Sequence, residues 1–93
     1  MRTIEWTSRF KRDYRRETKR QPGRSLDSLL SKILPVLQAD EPLADRHRDH
    51  ALTGDWRGHR DCHIRPDLVL IYQKPDDETL RLVRLGSHSE LGL

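Results

Sequence analysis

The stretch "GHRDCHIRPDLVLIY", residues 58–72, decides the fold because it contains two strands joined by a turn. Residues 68–72 form an apolar run without polar alternation, which is typical of a central strand covered on both faces. "RPD" predicts a turn that starts at Pro66. From Trp56 onward the period is two, which predicts one core face and one ionisable face. The ionisable face comprises Arg57, His59, Asp61, His63 and Arg65, and the other comprises Trp56, Gly58, Arg60, Cys62 and Ile64.

The flanking sequence adds two helices and two further strands. "RTIEWT" predicts a short half-buried strand. "SRFKRDYRRETKR" predicts a helix that can bury Phe10 and Tyr14, and "QPG" at residues 21–23 predicts the end of this helix. "TLRLVRL" predicts the last strand. The order β-α-α-β-β-β predicts an α+β fold, with two helices packed on one face of a small antiparallel sheet. The second helix has a continuous apolar face of Leu26, Leu29, Leu30, Ile33, Leu34 and Leu37, with Pro35 expected to kink or shorten it.

Composition limits the class of protein. The 93 residues predict one domain, and a hydrophobic fraction of 33% against 35% charged predicts a thin core that a partner helps to stabilise. One cysteine, Cys62, precludes an internal disulfide and fits a reducing cytoplasm. No apolar run is long enough to span a membrane, and the charged N-terminus does not resemble a secretion signal.

Positive charge is concentrated at the N-terminal end of the chain. Residues 1–24 hold nine Lys/Arg against three Asp/Glu, although the whole chain carries only +3. Such a basic stripe favours polyanions, and a solvated helix face is the alternative. The cations of the first helix that could contact phosphates are Arg9, Lys11, Arg12, Arg15, Arg16, Lys19 and Arg20.

Metal binding and nucleophilic catalysis fit the ionisable residues poorly. His59 and His63 lie about 13 Å apart along an extended strand, too far for one ion. Cys62 falls on the core side of its strand and predicts a small buried cysteine rather than a nucleophile. We therefore expect no metal and no cofactor.

Acid–base cleavage of RNA fits better. A base removes the proton of the 2′-hydroxyl, an acid protonates the departing 5′-oxygen, and a cation stabilises the transition state. The substrate supplies the nucleophile, so neither a metal nor a protein nucleophile is required. The candidates near strand ends are His50, His63, His88, Asp67 and several arginines.

Two stretches carry a family motif, "DHALTGDWRGHRDCHIRPDLVLIY" at residues 49–72 and "RLGSHSEL" at residues 84–91. The pattern D-H-x-L-x-G-x-W-x-G-x-R-D-x-H-x-x-P-D, then L-I-Y and R-x-G-[ST]-H, resembles the YafQ branch of the RelE-like toxins. This resemblance implies a single RelE-like toxin domain over residues 1–93 with the RelE-like microbial RNase fold. It also implies a toxin of a type II toxin–antitoxin pair that cleaves mRNA on the ribosome and inhibits translation, without metal.

The resemblance also implies a site. His50, His63, Asp67 and His88 match the four catalytic positions; His88 is expected to be the general acid and His50 or Asp67 the base. His63, beside Arg60 and Arg84, is expected to orient the phosphate, although strand parity places Arg60 among core-facing residues. Two aromatic positions of relatives are missing here, at Leu68 and Gly92.

The implied partners are a cognate antitoxin, expected to be acidic and partly disordered, the ribosome with its rRNA and mRNA, and operator DNA through the antitoxin complex. Two alternatives remain open. One is a ParE-like toxin that inhibits gyrase, which shares the fold but lacks these histidines. The other is a non-catalytic basic module that binds nucleic acid.

Overall fold

The computed structural model describes residues 1–20 and 25–93, so the break predicted at "QPG" lies outside the described residues. Two short 3-10 turns, Asp45–His47 and Gly54–Trp56, flank the second strand. In chain order the helices and strands are β1 (Thr3–Trp6), α1 (Ser8–Arg20), α2 (Ser25–Gln38), β2 (His50–Ala51), β3 (Arg60–Arg65), β4 (Leu68–Gln73), β5 (Thr79–Gly86) and α3 (His88–Leu91).

The sheet has the order β1-β5-β4-β3-β2. The predicted α+β class is confirmed, as is the antiparallel meander of β3, β4 and β5. Two details differ from the prediction. β1 pairs with β5 in parallel, so the sheet is mixed, and β2 adds a short strand before β3 that the sequence pattern did not predict. With only two residues, β2 is too short to produce a period-two pattern.

One face of the sheet carries the main core. Phe10 is 1% exposed, as predicted, whereas Tyr14 is only partly buried. Cys62 and Ile64 point into this core, as predicted. Trp56, predicted on the same face, instead lies in a 3-10 turn before β3 and packs on the opposite face, because the period-two pattern begins only with β3 at Arg60. Pro35 does not end α2, which continues to Gln38. The core is completed by Leu26, Leu30, Ile33, Leu34, Leu37, Leu68, Leu70, Tyr72, Leu80, Leu82 and Leu85.

The opposite face is apolar in part, although the sequence predicted a row of ionisable groups there. Val69, Ile71 and Leu91 are buried in a second, smaller cluster, against which Leu52 and Trp56 pack. β4 supplies Val69 and Ile71, α3 supplies Leu91, and the 3-10 turn at Gly54–Trp56 supplies Trp56. The remaining ionisable groups therefore lie in a partly walled site rather than on an open surface.

α1 completes the edge of β5 where β1 no longer pairs with it. β1 pairs with Thr79–Leu82 only. Further along, the Asp13 carboxylate accepts a hydrogen bond from Leu85 N at 3.0 Å, and the Arg16 guanidinium donates to Leu85 O at 2.8 Å. These contacts fix the end of β5 immediately before α3. Within the described residues, no helix is both long and apolar enough to cross a membrane.

Candidate active site

The four residues predicted to be catalytic lie on four different segments near one end of the sheet. His50 is on β2, His63 on β3, Asp67 in the turn between β3 and β4, and His88 at the start of α3. The His88 Nδ1 and Asp67 Oδ1 atoms are 2.7 Å apart, and the ring centroids of His63 and His88 are 5.0 Å apart. His50 and His88 both line an open groove of about 610 Å³.

His88 is held in place by the cap of a short helix and by one carboxylate. Ser87 and Glu90 form a reciprocal capping box at the start of α3. Asp67 Oδ1 accepts hydrogen bonds from both His88 N, at 3.0 Å, and His88 Nδ1. An ionised carboxylate only accepts, so Nδ1 carries the hydrogen and Nε2 is left for chemistry. The backbone and side-chain hydrogen bonds from His88 lower the pKa of Asp67, which makes Asp67 a weak base.

His50 presents its second ring nitrogen to solvent. Its Nδ1 lies 2.8 Å from Arg48 O and 3.2 Å from Asp61 Oδ1. Because both neighbours are acceptors, Nδ1 carries the hydrogen of the neutral ring. The side chain is 54% exposed, so the unprotonated Nε2 can accept a proton from a bound substrate.

His63 lies beside His88 in an edge-on ring contact. Burial lowers the pKa of His63; the attraction of Asp61 opposes this, and nearby His88, Arg48 and His50 lower the pKa further. The net shift favours the neutral imidazole at neutral pH. This shift disfavours His63 as a cation on the phosphate, and its predicted role in orienting the phosphate stays a prediction.

Asp61 corrects one prediction. The sequence placed it with His59 among outward, solvated or supporting residues, yet Asp61 is 2% exposed and lies opposite His50 in the β2–β3 register. Period-two parity assigns the correct face of β3 but cannot show that α3 and the 3-10 turn cover that face. His59 is partly exposed and contacts Trp56 edge-on, away from the other histidines.

The two arginines predicted to bind substrate are engaged elsewhere. Arg60 Nε lies 3.3 Å from Asp49 Oδ1, and Asp49 also accepts from the hydroxyl of Tyr72 at 2.5 Å, a residue of the main core. Arg84 Nε donates to Asp13 Oδ2 at 2.7 Å. Arg60 therefore lies on the helix side of the sheet, and Arg84 anchors α1; a substrate role for either stays a prediction.

The basic residues of α1 divide into two groups. Arg16 pairs with Asp13, Glu17 and Glu90, and Arg20 pairs with Glu17 and Glu90. The rest are exposed, and within the described residues no acidic side chain lies within ion-pair distance of them. These five cations are Arg9, Lys11, Arg12, Arg15 and Lys19.

At the two positions where relatives carry aromatic residues, this chain has residues that pack in the core or cap a helix. Leu68 is 3% exposed in the main core, and Leu91 is 4% exposed in the smaller cluster, so neither side chain can stack on a base. Gly92 caps α3 in the left-handed conformation with φ of 72°, which favours glycine. Leu93 is 41% exposed and lines the groove of His50 and His88.

The segment before β2 contributes residues that the sequence did not single out. His47 Nδ1 donates to His63 O at 2.8 Å, and Arg48 supplies the carbonyl that holds His50. A second groove of about 910 Å³ leads from this segment to His63 and His88. The charged run "DRHRD" was the available signal, but it does not by itself indicate which groups face the site. The cations lining this groove are Lys32, Arg46, Arg48 and Arg65.

A metal centre does not fit the side chains present. In the part of the chain that the structure describes, no three His, Cys, Asp or Glu side chains converge with ligand spacing. Cys62 is fully buried, and burial raises the pKa of its thiol.

Comparison with known proteins assigns the family. Residues 2–92 match the family model described as "Bacterial toxin of type II toxin-antitoxin system, YafQ". The mRNA interferase toxin YafQ of Escherichia coli K12 is 34% identical over 90 residues, covering 97% of this chain and 95% of the relative.

Solved structures agree with this assignment. A copper-bound mutant toxin from Helicobacter pylori superposes with a TM-score of 0.89 at 40% identity, covering 98% of this chain and 99% of that chain. The E. coli DinJ–YafQ complex gives a TM-score of 0.82 at 34% identity, with 98% of each chain covered. The chain therefore belongs to the YafQ family of bacterial type II toxin–antitoxin toxins.

Proposed function

We propose that this toxin is a ribosome-dependent, metal-independent mRNA endoribonuclease that inhibits translation. One observation carries the proposal: His50, whose Nδ1 is held by Arg48 O, and His88, held by Asp67, line the same open groove. A base and an acid on one groove are what in-line attack by a 2′-hydroxyl requires. The E. coli relative bears the name mRNA interferase, which supports the same reaction.

The reaction runs in one displacement. His50 Nε2 takes the proton of the 2′-hydroxyl, and the 2′-oxygen attacks the adjacent phosphorus while the bond to the 5′-oxygen breaks. His88 donates the Nε2 proton of its imidazolium to that leaving oxygen. The products are a 2′,3′-cyclic phosphate and a free 5′-hydroxyl, so the enzyme ends with the proton moved from His88 to His50.

Geometry favours His50 over Asp67 as the base. Asp67 Oδ1 already accepts two hydrogen bonds from His88, and these lower the pKa of Asp67. Its role here is to orient the acid and to favour the charged imidazolium of His88. His63 contacts His88, and its lowered pKa supports a role as a hydrogen-bonding partner of the phosphate rather than as a cation.

The proposed partners follow from the surface and from the relatives. A cognate antitoxin, expected to be acidic and partly disordered, corresponds to DinJ in the E. coli complex; operator DNA is reached through that complex. The exposed cations of α1 offer a surface for rRNA phosphates, and mRNA is the proposed substrate.

Inducible expression followed by mapping of mRNA 5′ ends tests the function. The native chain should arrest growth and cut translated mRNA at codon-defined positions, and His88→Ala or His50→Ala should lower cleavage by about 100-fold or more. Asp77→Asn, at an exposed turn, is the matched control and should cleave as the native chain does.

The same experiment separates the alternatives. A DNA damage response without mRNA cleavage would identify a gyrase-inhibiting toxin, and an absence of toxicity would identify a non-catalytic binding module. Cleavage in vitro should persist with 1,10-phenanthroline, which removes transition metals while leaving the ribosomal Mg²⁺. Loss of cleavage with this chelator would restore the metal hypothesis.

A further inference from the structure

Three carboxylates are buried in the described part of the chain, and one of them differs from the others. Asp13 and Glu17 each have arginine partners. Asp61 is as buried as they are but has no arginine or lysine within ion-pair distance. Its Oδ1 atom is inaccessible to solvent and accepts no hydrogen bond.

The side chains around Asp61 show what could offset its charge. His50 lies opposite on β2 and Ile71 on β4, and the groove that Asp61 lines also contains His88. Among the described residues, the His50 ring is the only basic group within ion-pair distance of Asp61, with Nδ1 3.2 Å from Asp61 Oδ1. The groups facing Asp61 are His50, His63, His88 and Asp49 among the titratable residues, and Leu52, Trp56, Ile71 and Leu91 among the apolar ones.

Burying a carboxylate oxygen without a hydrogen-bond donor costs free energy, so a buried oxygen of this kind in a folded protein needs an explanation. Burial raises the pKa of Asp61, and the three histidines oppose that shift only in part. An additional positive charge on a neighbouring imidazole would therefore stabilise the ionised carboxylate of Asp61. In the proposed reaction that charge appears on His50 when it removes the proton of the 2′-hydroxyl.

We propose that Asp61 is a positioning residue that stabilises the imidazolium of His50 as it forms. In the resting state the Nδ1 hydrogen of His50 is donated to Arg48 O at 2.8 Å. A small rotation of the ring transfers this hydrogen bond to Asp61 Oδ1, without transfer of the proton, as the ring becomes charged. The arrangement parallels the buried aspartate of a Ser-His-Asp triad, which orients and stabilises its imidazolium. This inference rests on the proposed function, since it gives Asp61 a part in that cleavage.

Asp61→Asn tests the inference because it preserves the shape and removes the charge. On programmed ribosomes the variant should lower kcat by about 10- to 100-fold with KM nearly unchanged. The acidic limb of the pH–rate profile should move to lower pH, because the base is then harder to protonate. Asp77→Asn is the control and should match the native chain in both measurements.

A double-mutant cycle separates positioning from a merely structural role. If Asp61 acts through His50, adding Asp61→Asn to His50→Ala should reduce kcat no further than His50→Ala alone. Additive losses in the double variant would overturn the inference. So would native kinetics in Asp61→Asn alone. If Asp61→Asn melts well below the native chain, Asp61→Ser replaces it in the cycle.

An NMR titration of the free toxin makes the test independent of catalysis. Because Asp61 raises the pKa of His63, the imidazole signals of the site should titrate at lower pH in Asp61→Asn than in the native chain. If the native chain fails to cleave mRNA, the proposed function is wrong, and Asp61 then has no reaction in which to act. Titrations that are unchanged in Asp61→Asn would show that Asp61 is not coupled to the histidines, whatever the activity.

Discussion

At the scale of single residues, the site depends on which nitrogen of each imidazole carries the hydrogen. Asp67 Oδ1 and Arg48 O are acceptors, so they place hydrogens on Nδ1 of His88 and His50 respectively. The free Nε2 atoms are then available for an acid and a base. In the proposed cleavage, two chemically identical side chains take opposite roles. His88 donates its Nδ1 hydrogen to a carboxylate, whereas His50 donates its own to a carbonyl and turns to Asp61 only as it becomes charged.

Asp67→Asn should lower kcat by about 10- to 100-fold, because an amide orients His88 less well and does not favour its imidazolium. The pH dependence gives a second measurement. The pKa of Asp67 is lowered in the folded protein, so its contact with His88 is present above the ordinary aspartate range. That contact should be lost only as the pH falls through this lowered pKa.

The NMR signals of His88 in the native chain should therefore respond to titration of Asp67 only below the ordinary aspartate midpoint of about 3.9. A response of His88 centred at or above that midpoint would contradict this geometry. Asp77→Asn, whose carboxylate is exposed, controls for the loss of one negative charge.

At the scale of the elements, α1 does two things. Its outer face is cationic, while Asp13 and Glu17 form a buried acidic edge that the hydrophobic pattern did not predict. Asp13 receives Arg84 and Leu85 N, and Arg16 binds Leu85 O and Glu90. Burial alone would raise the pKa of Asp13, but these hydrogen bonds and cations lower it overall. α1 thereby holds the end of β5 and the start of α3, on which His88 lies.

Asp13→Asn should reduce the free energy of unfolding by about 2–4 kcal/mol, because it removes the charge that pairs two partly buried arginines. Urea titration of the full chain measures this loss. Glu41→Gln is the control, since Glu41 is exposed, and it should change the free energy by less than about 0.5 kcal/mol. A loss in Asp13→Asn no larger than the control would show that the network contributes no stability.

At the scale of the whole molecule, the chain presents two sets of exposed cations. Arg9, Lys11, Arg12, Arg15 and Lys19 lie on α1, whereas Arg46 and Arg48 line the groove that leads to His63 and His88. The set on α1 lies apart from the strands that carry His50 and His63, so it can contribute a long-range positive field that attracts a polyanion.

Neutralising Arg12, Arg15 and Lys19 together with glutamine should weaken ribosome binding uniformly across mRNA sequences. If each contacts one phosphate, the slope of log K against log salt concentration should fall by about 2–3. The variant should still melt like the native chain, because these three side chains are exposed. Arg57→Gln, an exposed charge outside α1, is the control. An unchanged salt slope in the triple variant would show that α1 does not face the rRNA.

Sequence patterns were sufficient to predict an element wherever its apolar residues recur regularly and are buried. The apolar run at residues 68–72 specified β4, and the leucine spacing specified α2, because burial of each face dominates the local choice of structure. The motif also identified the family from the sequence alone, because its residues occur at fixed spacing along the chain. Failures occurred where no period exists, as in the two-residue β2 and the parallel pairing of β1.

The sequence by itself determined the α+β class, the core faces and the set of ionisable residues from which a site could be built. Only the tertiary structure decided how those residues are used. It buried Asp61 without a cationic partner, occupied Arg60 and Arg84 with Asp49 and Asp13, and placed His88 on Asp67. The physical reason is that charge pairing and burial depend on contacts between segments distant in sequence, which local periodicity does not encode.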